Sequence, residues 1–98
     1  MRQHRLPAYA GRNHLLFMRD MTIGIDEIYV PVKRRQSLDE RRVQALAESI
    51  LENGQQTPIW VRPDHGRYVL VEGLHRLEAC KTLGETTITA ILVHARGF

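Results

Sequence analysis

The strongest constraint on this chain is a change of hydrophobic period at a single glycine. Tyr68-Val69-Leu70-Val71 is a continuous apolar run with high strand preference. It stops at Glu72-Gly73, after which Leu74, Leu77 and Cys80 recur at helical spacing. A strand must therefore feed a helix through Gly73. A glycine there lets the backbone approach a neighbour or a ligand closely. The first N–H groups of the new helix have no partner inside it and point at whatever lies in front. His75 and Arg76 fall in that first turn, where a cation opposes the helix dipole. A negative ligand beside the turn would offset that local cost.

The rest of the 98 residues reads as scaffold for this junction, one small domain with one core. The longest apolar runs, such as Ala90-Ile91-Leu92-Val93, are too short to span a membrane. The N-terminus lacks the continuous apolar segment of a secretory signal, which argues against export. A single cysteine excludes an internal disulfide framework and is compatible with a reducing, cytoplasmic setting. Positive charge is concentrated at the start: Arg2, Arg5, Arg12 and Arg19 face Asp20 alone, whereas residues 21–98 balance ten Lys/Arg with ten Asp/Glu. Residues 1–20 therefore read as a basic, irregular arm, and residues 21–98 as the domain. Such an arm can attract DNA without sequence selectivity, and Arg2, Arg5, Arg12 and Arg34 are the candidate contacts.

Taken in order, the β-branched stretch from Met21 to Val30 predicts one strand or two short ones before Pro31. Val32-Lys33-Arg34-Arg35-Gln36 reads as a basic connection. Ser37-Leu38-Asp39-Glu40 fits a capping box with Ser37 as N-cap, and Val43, Leu46, Ala47, Ile50 and Leu51 form a helical stripe. A helix over residues 38–53 follows, stopped by Gly54. The segments 58–62 and 67–71 pair as a hairpin around Pro63-Asp64-His65-Gly66. A second helix runs from Gly73 to Leu83, partly buried through Leu74, Leu77, Cys80 and Lys81. A last strand covers residues 86–93. The sum is a small α+β fold, with a mixed sheet and two main helices.

The five histidines are dispersed and Cys80 has no cysteine partner, so no zinc spacing exists. Cys80 lies on the stripe of Leu77 and is expected to pack in the core. The positive constellation has three parts: Arg34-Arg35 before the first main helix with Arg41 and Arg42 inside it, the polar entrance Gln55-Gln56-Thr57-Pro58, and the turn Glu72–Arg76. Guanidinium groups flanking two helix starts match phosphate oxygens bidentately.

Three ordered segments carry a family resemblance: Ser37-Leu38-Asp39-Glu40, Asn53-Gly54-Gln55-Gln56-Thr57-Pro58-Ile59-Trp60-Val61, and Val71-Glu72-Gly73-Leu74-His75-Arg76-Leu77-Glu78-Ala79-Cys80-Lys81-Thr82-Leu83-Gly84. Together they resemble the N-terminal domain of ParB-type partition proteins, a fold shared with sulfiredoxin and a free-serine kinase. The resemblance covers roughly residues 22–94. It implies that Arg35 contacts nucleotide phosphates, that Gln55, Gln56 and Thr57 contribute to a nucleotide pocket, and that Gly73-Leu74-His75-Arg76 occupies the place of a triphosphate-cradling Gly-Glu-Arg-Arg turn. Leu74 stands where that turn has Glu, which removes a residue used in magnesium-assisted CTP hydrolysis. Sulfiredoxin-like proteins carry a catalytic Cys at the same place, and Cys80, almost two helical turns further on, is no substitute. The kinase-like relatives carry an acid-Gly-x-His-Arg turn, which Glu72-Gly73-Leu74-His75-Arg76 matches more closely. On that comparison Glu72 orients a hydroxyl or metal-bound water, and His75 binds phosphate or shuttles a proton.

The leading expectation is a phosphate-binding module for CTP or ATP/ADP, with Mg²⁺ accompanying the nucleotide, in a DNA-associated process such as partition or transcription control. DNA would then be engaged through the arm, an oligomer such as a homodimer, or a partner protein. A nuclease or phosphotransferase built on Glu72 and His75 is the alternative. A third reading is an interaction module without a ligand, pairing through the strand 86–93 if that strand lies at an edge.

Overall fold

The computed structural model describes residues 20–55 and 57–93, and everything below refers to them. The basic arm with Arg2, Arg5 and Arg12, and also Gln56, lie outside the described residues.

The β-branched stretch resolves into two strands, β1 (Asp20–Gly24) and β2 (Ile28–Tyr29), separated by a 3₁₀ turn over Ile25–Glu27. The basic connection is itself a single helical turn, α1 (Val32–Arg35), started by Pro31. The first main helix, α2, spans Glu40–Asn53, two residues later than the capping-box reading. Its N-cap is Asp39, whose Oδ1 accepts the Arg41 N–H at 3.0 Å. Ser37 is drawn off by the preceding turn, where its hydroxyl donates to the Arg34 carbonyl at 2.8 Å. Gly54 closes α2 with a positive φ of 79°, and its N–H donates to Ile50. Val43, Ala47 and Ile50 are buried as the stripe requires, but Leu51 is 74% exposed.

The hairpin forms from β3 (Ile59–Asp64) and β4 (Arg67–Glu72). Its loop is narrower than expected, only His65-Gly66, both with positive φ (50° and 85°) as a tight two-residue connection demands. Between Trp60 and Val61 the register slips, Trp60 facing Glu72 and Val61 facing Leu70, so that Val71 is an extra residue on β4. The second main helix, α3, covers Leu74–Thr82, and β5 covers Thr87–Leu92. In α3 it is Ala79, not Lys81, that joins Leu74, Leu77 and Cys80 in the interior.

The five strands make one mixed sheet in the order β1-β5-β3-β4-β2. β5 is antiparallel to β1 and parallel to β3, while β4 is antiparallel to β3 and parallel to β2. The condition set for pairing through strand 86–93, an edge position, is not met: β5 is an interior strand, hydrogen-bonded on both sides, and among the described residues the edges are β1 and β2. Ile23, Ile59, Val61, Leu70, Ile88 and Ala90 supply the buried side of the sheet, and α2 and α3 close it with Val43, Ala47, Ile50, Leu74, Leu77 and Cys80. This is the α+β arrangement read from the sequence, in two layers.

Gln55 has a scaffold role. Its side-chain amide donates to the carbonyls of Thr89 (3.2 Å) and Thr57 (3.1 Å), and its Oε1 accepts the Thr89 N–H at 3.1 Å. Since β3 begins alongside Ala90, the Gln55 amide continues the ladder one residue further along β5.

Candidate functional site

The strand-to-helix junction is built around Gly73. Its φ of 109° lies in the left-handed region, and a Cβ placed there would sit 2.7 Å from Ile59 Cγ2. Ile59 is fully buried, so the contact cannot relax outward. The glycine therefore locks the start of α3 against the middle of the sheet. The first α-helical bond of α3 runs from the Leu77 N–H to the Gly73 carbonyl at 2.9 Å, and no side chain caps the N–H groups before it.

In front of this open helix start lies a cavity of about 340 Å³, lined by Arg34, Ser37, Arg42, Leu46, Glu72, Gly73, Leu74, His75 and Arg76. One wall is the end of α1 and the beginning of α2; the other is the β4–α3 junction. Three arginines and a single carboxylate, Glu72, line the cavity, and Glu72 Oε2 is 3.9 Å from Arg34 Nη2 in a partly exposed pair. The bulge at Val71 immediately precedes Glu72, and such an extra residue re-aims the side chain that follows. His75 faces the other wall, its Nε2 accepting the Asp39 backbone N–H at 3.0 Å.

Among the residues singled out from the sequence, the structure brings Arg34, Glu72, Gly73, His75 and Arg76 to one cavity. Arg35 is not among the lining residues; its Nε donates to the Val30 carbonyl at 3.3 Å. Arg34, assigned from sequence to DNA, takes the place in the cavity wall. Gln55 is committed to β5, and Thr57, exposed, does not line the cavity either. Arg42, part of the basic constellation in the sequence though given no site role, also lines the cavity, as do Ser37 and Leu46, which the sequence reading did not connect with a site. The signal for two of them was present, since Arg42 and Leu46 lie four residues apart and so on one side of α2.

Cys80 lies one and a half turns further along α3, 2% exposed. Its thiol is pushed above the ordinary value of 9.0 by burial first and by the Glu85 carboxylate second, with Arg76 pulling the other way. A protonated, enclosed thiol is a packing group rather than a nucleophile. Leu74, at the position next to His75, is also buried.

Residues 13–96 match the ParB N-terminal domain family. The chain belongs to that family. It is 40% identical over 76 residues to the probable chromosome-partitioning protein ParB of Helicobacter pylori, covering 76% of this chain and 26% of that relative. The crystal structure of sulfiredoxin from Arabidopsis thaliana superposes with a TM-score of 0.71 and 32% identity, over 79% of this chain and 86% of that one. The C-terminally truncated ParB of Caulobacter crescentus, solved with CTP-γ-S, gives a TM-score of 0.70 at 27% identity, over 80% of this chain and 46% of that one. The chain thus spans about a quarter of the length of the curated ParB relative it matches.

Proposed function

We propose that this ParB-type domain is a nucleotide-binding module whose cavity holds phosphate groups between Arg34, Arg42, Arg76 and the open N-terminus of α3, within a DNA-associated process such as partition or transcription control. The observation that carries the reading is the convergence of three arginines on an uncapped helix start that a glycine fixes in place. Such a site favours anions through both the helix dipole and paired guanidinium donors. The CTP-γ-S carried by the Caulobacter ParB supports a nucleoside triphosphate as ligand. Among the described residues no group of three or more His, Cys, Asp and Glu is placed to hold a metal ion. Glu72 is the one carboxylate lining the cavity, so Mg²⁺ would enter with the nucleotide's phosphates and keep its waters. The basic N-terminal arginines add a salt-sensitive attraction to DNA.

Calorimetry against CTP, ATP, ADP and GTP tests the reading directly. Binding in the micromolar-to-millimolar range is expected, weakened about tenfold by Arg42→Ala or Arg76→Ala, because each loses charge-assisted hydrogen bonds. Arg41→Ala, next to Arg42 but not lining the cavity, leaves affinity unchanged. No heat with any of the four nucleotides would sink the proposal.

Glu72 beside Arg34 supports a second reading, a phosphotransferase or nuclease in which that carboxylate orients a hydroxyl or a metal-bound water. A plasmid-nicking assay with Mg²⁺ or Mn²⁺ and a phosphate-release assay distinguish it. Turnover abolished by Glu72→Gln, with nucleotide affinity retained, would favour the enzyme.

A further inference from the structure

We infer that His75 is a positioning residue, the strut that sets the spacing of the two cavity walls, and that it neither binds phosphate through Nε2 nor carries a proton there. This rests on the reading of the cavity as a phosphate site. A backbone N–H is a permanent donor, so the Asp39 N–H at 3.0 Å requires a bare lone pair on His75 Nε2 and places the ring hydrogen on Nδ1. Donation from Nε2 to a phosphate, or protonation at Nε2, would abolish the contact.

What the strut holds is the start of the opposite wall. Asp39 is the N-cap of α2, so fixing its backbone fixes where that helix begins and where Arg42, three residues on, is carried. Arg34 sits on the same wall, one turn before, its carbonyl tied to Ser37. The charged groups around the imidazole are Arg34 from α1, Asp39 and Arg42 from the α2 start, and Glu72 and Arg76 from its own junction. Among the described residues the other polar side-chain contact across the cavity is the Arg34–Glu72 pair at 3.9 Å. Glu72 is mostly in solvent, Arg34 is partly exposed, and both side chains are long enough to change rotamer, so the pair is the weaker spacer. Core packing through Val43, Ala47, Leu74 and Leu77 keeps α2 on α3, and the His75 bond adds a directional tie at the cavity itself, without which the start of α2, and Arg42 with it, is placed by packing alone.

The test uses the full chain and inorganic pyrophosphate as probe. His75→Gln keeps an acceptor at similar reach and cannot be protonated, while His75→Leu has no acceptor. Calorimetry should find pyrophosphate affinity for His75→Gln within about twofold of the parent, and for His75→Leu down about tenfold, the scale of one lost hydrogen bond. Nitrogen-15 NMR of the unsubstituted protein should show a protonated Nδ1 and a bare Nε2, with and without pyrophosphate. A glutamine variant that loses as much affinity as the leucine variant would overturn the strut, as would a protonated Nε2 in the liganded protein. If the unsubstituted protein takes no pyrophosphate, the phosphate reading fails by itself. The ring tautomer, and a leucine variant that melts below the glutamine variant, then decide the strut independently. If the leucine variant does not fold, the NMR measurement alone decides.

Discussion

The two main helices start in opposite ways, within reach of the same cavity. α2 is closed by its own sequence: Asp39, in extended backbone (φ −120°, ψ 110°), turns its carboxylate onto the Arg41 N–H, and Glu40 adds an acid where the dipole favours one. α3 has neither device. Gly73 offers no side chain, its left-handed backbone (φ 109°, ψ 29°) admits little else, and the first turn carries His75 and Arg76 with no acid. The first helix start satisfies itself and serves the fold. The second leaves its donors open and adds positive charge, which lowers local stability and makes sense beside an anion. The His75–Asp39 bond ties the open start to the closed one.

That contrast can be broken hardest at Gly73. Gly73→Ala places a methyl group 2.7 Å from Ile59 and forces a side chain into left-handed backbone. Overpacking and backbone strain together should cost about 3–5 kcal/mol, read by urea or thermal unfolding. Parental stability in this variant would mean that the junction is looser than it looks. Asp39→Ala is milder. It removes the carboxylate cap but leaves the backbone N–H that His75 accepts, so stability should fall by about 1 kcal/mol with pyrophosphate affinity preserved. A large loss of affinity instead would show that the closed start also serves the ligand.

The smallest effect is expected at Cys80, in the buried body of α3. Its thiol is raised above 9.0 in the folded chain, mainly by burial, so folding favours the protonated form. That contribution is complete below about 9.0 and is lost as pH rises through the raised value. The denaturant midpoint of the parent should therefore fall with pH in the alkaline range more than that of Cys80→Ala. Thiol reagents at neutral pH should label Cys80 only as fast as the chain opens.

Much of this was legible in the residues. The stripe Val43, Ala47, Ile50 fixed α2 by periodicity, and the switch from Val71 to Leu74 located the junction. The misreadings have local causes. Ser37 and Asp39 both suit an N-cap, and the choice depended on a one-turn helix at Val32–Arg35 that is too short to show a period. The same turn explains Arg34 and Arg35. Neighbours on a helix point in different directions, so the one that reaches the cavity is decided by an orientation that two adjacent arginines do not reveal. Gln55 is a polar residue at a strand entrance, which suits either a ligand or the sheet, and its bonds to Thr89 appear only once β5 is placed alongside. Strand order was beyond reach for a similar reason, since Thr87–Leu92 is as β-prone at an edge as in the interior.

The interior place of β5 also bears on how the chain reaches this state. β1 and β3 are never neighbours; each waits for the same late segment to slide between them. The β3–β4 hairpin has only local contacts to make and can form early. The sheet as a whole must close a span of about seventy residues, from Asp20 to its partner Ile91, before its two halves join. Such non-local closure slows folding. During synthesis β1 has no strand to pair with until nearly the whole domain has emerged, so the assembly of the layer under the cavity is the final event rather than the first.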